Sequence, residues 1–209
     1  MAYVSLDEFK RELALLHLPL SSDDDGLLQQ KLDDAQRTIE NVTRRFFEAE
    51  ADEERLLDYT LVNGRNLYLP YDLCGITEIV NGDGTVIGVD EYVTMPRFRS
   101  ISGGACVMPN SPQAWPWYEI VLKQGASVAW TYTDSPEEAI AITGRWAFSV
   151  TPPADIVGAT LRLASWFYQQ KDSLADRKDS MVSRSGSLLL MADLPLDVQR
   201  RLLRYVRLV

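Results

Sequence analysis

Residues 140–163 read I-A-I-T-G-R-W-A-F-S-V-T-P-P-A-D-I-V-G-A-T-L-R-L and constrain the fold more than any other stretch. A β-type run ends at Thr143-Gly144-Arg145-Trp146-Ala147-Phe148. Pro152-Pro153 then opens a helix, where its first turn tolerates proline. Ile156, Val157, Thr160, Leu161, Ala164, Phe167 and Tyr168 cover more than half of that helix's circumference. Such a helix packs on two neighbours and is expected at the centre of a bundle. Gly158, Ala159, Ala164 and Ser165 are small enough to let those neighbours approach closely.

Two helices are expected at the N-terminal end. Ser5-Leu6-Asp7-Glu8 is a capping box, and Leu6, Phe9, Leu13 and Leu16 follow at helical spacing until Pro19 ends the helix. The acids Asp23, Asp24 and Asp25 suit a second helix start, where the macrodipole favours negative charge. Leu28, Leu32, Ala35, Ile39, Val42 and Phe46 then place one apolar stripe along a helix reaching about residue 47. Residues 48–55 read as a charged continuation or a linker.

From residue 56 to about 150 the period shortens. β-type runs occur at 59–62, 67–69, 76–80, 85–89, 92–95, 118–122, 127–133 and 139–143, separated by glycine turns at 63–64, 81–84, 102–104 and 124–125. Such spacing predicts a small antiparallel sandwich or barrel, with a hairpin turn at Asn81-Gly82-Asp83-Gly84. Residues 172–186 are polar and aperiodic, an arm by composition. After it come the apolar Leu188, Leu189, Leu190 and Met191 and a short amphipathic helix at 194–205.

The expected fold class is therefore α+β: a helical bundle, two N-terminal helices plus C-terminal helices, with an inserted small antiparallel β-sandwich or barrel. The bundle takes residues 1–55 and 151–172, the insert 56–150, and an arm with a C-terminal helix and tail 173–209. An apolar segment beyond an arm needs a second surface, and another subunit is the economical one.

The 209 residues are 46% hydrophobic and 24% charged, with a net charge of −9. That balance excludes wholesale disorder and disfavours gripping nucleic acid through phosphates. No apolar run approaches the ~20 residues that span a bilayer, and the first residues show no secretory pattern, so a protein made in a cytoplasm is expected. Cys74 and Cys106 are too far apart for a C-x-x-C motif and read as reduced thiols. His17 is the lone histidine, and no hydrolase, zinc, dinucleotide or P-loop pattern surrounds any candidate residue. No enzyme activity, cofactor or metal site is expected.

Two features bear on partners. Trp115 and Trp117 lie in W-P-W-Y, where they can fill the β core, form an interface or stack on sugar rings. Residues 200–209 hold Arg200, Arg201, Arg204 and Arg207 with Tyr205 and Val209 and no acid, against 15 Asp/Glu and 7 Lys/Arg in residues 1–60. That basic tail reads as a solvated helix face, a dock for an acidic partner, or a DNA contact.

With these elements in order, the chain resembles the head–tail connector (adaptor) proteins of tailed bacteriophages, as a long form with a β insert. Four places carry the likeness: the opening V-S-L-D-E-F-K with the helix at 27–47; L-Y-L-P-Y-D-L followed by I-T-E-I at 67–79; I-T-G-R-W-A-F at 142–148, similar to V-T-G-x-W-G-Y with Ala147 where glycine is usual; and the helix at 152–168. The resemblance implies a non-enzymatic subunit of a twelve-membered ring in the virion neck. That ring lies beneath the portal protein and meets the tail or a further neck protein. It extends a channel through which DNA passes without specific binding. Portal docking would fall to the basic tail, and contacts between subunits to residues 188–191. Asp23, Asp24, Asp25, Glu50, Glu53 and Glu54 are the candidate channel-facing acids. The rivals are a monomeric β-sandwich module for carbohydrate built on Trp115 and Trp117, and a tail-completion or neck-stopper protein.

Overall fold

The computed structural model describes residues 3–17, 24–97, 115–176 and 194–207, with side chains up to 170 in the helix that ends at 176. Asp23, Cys106, Leu188, Leu189, Leu190, Met191 and Val209 lie outside the described residues. The chain divides into two compact units: residues 1–45 with 152–209, and residues 46–151. The fold is α+β, with four helices and two antiparallel sheets among the described residues; the sheets do not close into a barrel.

The first unit is helical. Helix α1 (Leu6–Leu15) begins with the capping box: the Ser5 hydroxyl accepts from the Glu8 N–H, and the Glu8 carboxylate accepts from the Ser5 N–H. Ahead of it, the Tyr3 hydroxyl donates to Glu40 at 2.7 Å and fixes the chain start to the second helix. Helix α2 (Asp25–Thr43) buries Leu28, Leu32, Ala35 and Ile39, the stripe its sequence spacing demands. It stops at Thr43 rather than about 47, because Arg44 turns left-handed (φ 56°) while its N–H still bonds the Glu40 carbonyl. A left-handed residue with a Cβ is strained. Arg44→Gly is therefore expected to stabilise the protein by about 1 kcal/mol, read as a higher midpoint in urea.

Helix α3 (Ala154–Asp176) touches α1, α2 and α4 (Leu196–Leu202). It buries Ile156, Ala159, Thr160, Leu163, Ala164 and Tyr168, so it is the core of this unit. Gly158 permits the expected close approach: a Cβ there would meet the Arg201 guanidinium at 2.6 Å.

The C-terminal segment differs from expectation. Leu194, Val198, Leu202 and Tyr205 are buried in the helical unit itself. The Arg45 guanidinium donates to the Tyr205 carbonyl at 2.5 Å, and the Arg207 N–H donates to the Thr43 carbonyl at 3.0 Å. Orphan carbonyls at a helix end need such partners. Leu194, Val198, Leu202 and Tyr205 are thus covered within the helical unit.

The second unit holds two sheets. One has strand order β1-β7-β4, from Glu53–Leu57, Ile140–Arg145 and Gly75–Val80; the other has β2-β3-β6-β5, from Val62–Asn63, Asn66–Leu73, Trp117–Leu122 and Tyr92–Met95. Their core joins Leu57, Leu67, Leu69, Leu73, Ile79, Ile120, Leu122, Ile140, Ile142, Trp130 and Trp146. Residues 53–55, the end of the run read from the sequence as a charged continuation or a linker, begin the edge strand Glu53–Leu57 that pairs with β7. The runs at 85–89 and 127–133 make only single bridges. The Asn81 side chain occupies the second of these, donating to the Ala129 carbonyl and accepting from the Thr131 N–H. That amide stands in for a neighbouring strand. Residues 59–61 form a 3-10 turn instead of a strand.

Candidate functional site

In the β unit the best-anchored polar group is Arg145, at the end of β7. Its guanidinium holds the Ala49 and Glu50 carbonyls at 3.0 and 2.8 Å and the Asp52 carboxylate at 2.5 Å. Asp52 also accepts from the Thr77 hydroxyl. Those two partners, the hydroxyl first, hold the Asp52 carboxyl below its ordinary range. A depressed carboxyl contributes stability that is complete above the unfolded value and lost as pH falls through the folded one. Asp52→Asn is accordingly expected to flatten the acid limb of the stability–pH curve below the usual carboxylate range, while leaving the curve's shape at neutral pH unaltered.

This arrangement clamps the backbone at residues 49–50 to the end of β7. Burial, the largest influence, pushes the Cys74 thiol up to about 11, leaving it a poor nucleophile. His17 is exposed just past the end of α1. Among the described residues no group of three or more His, Cys, Asp or Glu is placed to hold a metal ion. No helix there is long and apolar enough to cross a membrane.

Charge, by contrast, is sharply distributed. The helical unit, residues 1–45 and 152–209, holds 15 Asp/Glu and 15 Lys/Arg and is neutral. Residues 46–151 hold 15 Asp/Glu and 6 Lys/Arg, so the β unit carries the whole net charge of −9. The acidity assigned to the N-terminal end thus splits at Arg45. Asp24 accepts from the Tyr168 hydroxyl at 3.2 Å, and Asp25 pairs with Lys10 at 2.7 Å, which ties both to the bundle's own helices. Glu50, Glu53 and Glu54 are exposed on the β unit, with Glu53 paired to Arg55 at 2.8 Å.

The C-terminal arginines are not equivalent. Arg204 pairs with Asp155 at 3.2 Å, and Arg201 lies over Gly158. Arg207 is half-buried, whereas Arg200 is exposed without a hydrogen bond or ion pair among the described residues. Tyr205, expected at a docking surface, is instead a core residue. Its hydroxyl points to Asp155 at 3.4 Å, and burial pushes it up to about 12.

The tryptophans are similarly inward. Trp115 is half-buried with its ring in an edge-to-face contact with Phe148 at 5.6 Å, and Trp117 packs against the β core. They do not form an open stacking platform. Sequence reasoning missed a second feature at the start of β7. Asp58, Asp134, Glu137 and Glu138 are exposed around the Tyr59–Tyr132 ring pair, centroids 4.8 Å apart. The Asp58 carboxylate accepts from the Glu138 N–H, and Ser135 holds the Glu137 carboxyl below its ordinary range. The available signal was the absence of Lys and Arg between Lys123 and Arg145.

No family model and no curated protein matches the chain. Solved structures do. A chain from the neck of an empty GTA particle, computed with C6 symmetry, aligns over 99% of this chain and 92% of its own length, at TM-score 0.52 and 17% identity. A chain from the neck of a native GTA particle, computed with C12 symmetry, aligns over 98% and 90% at the same TM-score and identity. At that identity the likeness establishes a shared fold, and it runs through both units.

Proposed function

We propose that this chain is a structural head–tail connector (adaptor) subunit of a phage-like particle. It assembles into a ring of twelve copies beneath the portal, extends the DNA channel, and joins the capsid vertex to the tail or a further neck protein. It works in the virion neck, needs no cofactor and performs no catalysis. The observation that carries this reading is the near full-length fold likeness to chains from particle necks, which takes in the helical unit and the β unit together. The charge distribution supports it: an acidic unit repels DNA and lets it pass without sticking.

The test is to size the purified full-length protein alone and with its cognate portal protein, and to image the product. The reading expects rings, or capture on the portal. A protein that stays monomeric in both conditions overturns it. Binding to a preformed connector ring but not to portal would instead identify a neck-stopper.

A further inference from the structure

The chain carries two exposed surfaces of complementary chemistry. On α4 and the turn after it, Leu196, Arg200 and Leu203 follow at i, i+4 and i+7 and face away from the buried Val198, Leu202 and Tyr205. Leu196 and Leu203 are 58% and 61% exposed. Single exposed leucines are ordinary, but two that bracket an unpaired guanidinium make a contact stripe. On the β unit, Tyr132 is 40% exposed, beside Asp134 and Glu137, with no cation from the chain near them in sequence.

We propose that the Leu196–Arg200–Leu203 stripe of one copy docks on the Tyr132, Asp134 and Glu137 surface of the next copy's β unit. The inference rests on the ring reading above and names the contact that builds the ring. A guanidinium can lie on the tyrosine face and pair with the flanking carboxylates at once, which an ammonium cannot do in that geometry. The leucines cover the ring edges. Charge complementarity favours a second copy as occupant: every copy carries the exposed Arg200 on its neutral helical unit and the whole −9 on its β unit, so the stripe of one meets opposite charge on the next. Each copy supplies one stripe and one acidic surface, and such a heterologous contact repeats from copy to copy until it closes.

The experiment uses three full-length proteins: the parent, Arg200→Glu, and Asp134→Lys/Glu137→Lys. Self-association is measured by sedimentation velocity with and without portal protein, and far-UV circular dichroism checks the fold. Each variant alone should associate about tenfold more weakly than the parent, because its attraction becomes repulsion. Mixed one to one, the two variants should regain the parent's association, since every interface in an alternating ring again joins opposite charges. Native mass spectrometry should then show equal numbers of each. Arg200→Glu associating as strongly as the parent, or a mixture no stronger than its components, overturns the contact while leaving the connector reading intact. A parent that neither self-associates nor binds portal overturns both.

Discussion

Replacing Gly144 with alanine is expected to destabilise the β unit by about 3 kcal/mol, at the upper end for overpacking. β7 crosses β4 at this point, with Gly144 opposite Ile76 and Arg145 opposite Gly75. A Cβ on Gly144 would overlap the Gly75 carbonyl oxygen and sit 3.2 Å from the Ile76 Cα. Both obstacles are backbone, so no side chain can swing away and the two strands must separate. Separation loosens the Arg145 clamp and the Ile79 and Ile142 packing behind it. The measurement is urea unfolding followed by tryptophan fluorescence, since Trp130 and Trp146 are buried in the same core. Gly88→Ala is the control: a Cβ there meets nothing within 4 Å, and a change under about 0.5 kcal/mol is expected. Coincident curves for Gly144→Ala and the parent would refute this account of the crossing.

Deleting residues 200–209 is expected to abolish the cooperative fold of the helical unit. The deletion removes Leu202, which is fully buried, and Tyr205, which is nearly so. It also strips the Thr43 carbonyl and the Arg45 guanidinium of their partners. Losing two large core side chains costs about 5 kcal/mol or more, which rivals the total stability of an ordinary domain. Leu202→Ala alone should cost about 3 kcal/mol. Thermal melts followed by far-UV circular dichroism separate these cases, and a truncated protein that melts with the parent would sink the argument. One practical consequence is that truncation cannot probe partner docking. Loss of binding after it would report a lost fold, so single charge changes at Arg200 are the informative route.

Much of the architecture was legible in the sequence. The capping box, the 3-4 spacing of Leu28 to Ile39, the proline-opened helix and the turn at Asn81–Gly84 all encode local structure through local chemistry. The misreadings share a cause, which is that long-range partners decided the outcome. The α2 stripe continues on paper through Phe46, but Arg44 breaks it. Phe47 is then buried with its ring 5.6 Å from that of Phe148. The charged run at 48–55 resembles a linker, yet its last three residues pair with β7. Residues 127–133 alternate like a strand, but the Asn81 side chain and the Gly82 backbone take the hydrogen bonds a strand would have used. The tail seemed an apolar surplus because one helix of seven residues cannot reveal what covers it. The acidic surface at Tyr132 is hidden in the sequence because folding brings Asp58 to Glu138 across a separation of 80 residues that holds five strands.

The nesting of one unit inside the other sets the order in which a nascent chain can finish. Residues 46–151 are contiguous and complete as soon as they leave the ribosome. Helices α1 and α2 emerge earlier, yet their central neighbour α3 and its brace α4 arrive last, more than a hundred residues downstream. Since domains fold as units during synthesis, the apolar faces of α1 and α2 wait until α3 and α4 have emerged. A chain therefore holds a finished β unit before its helical unit can close.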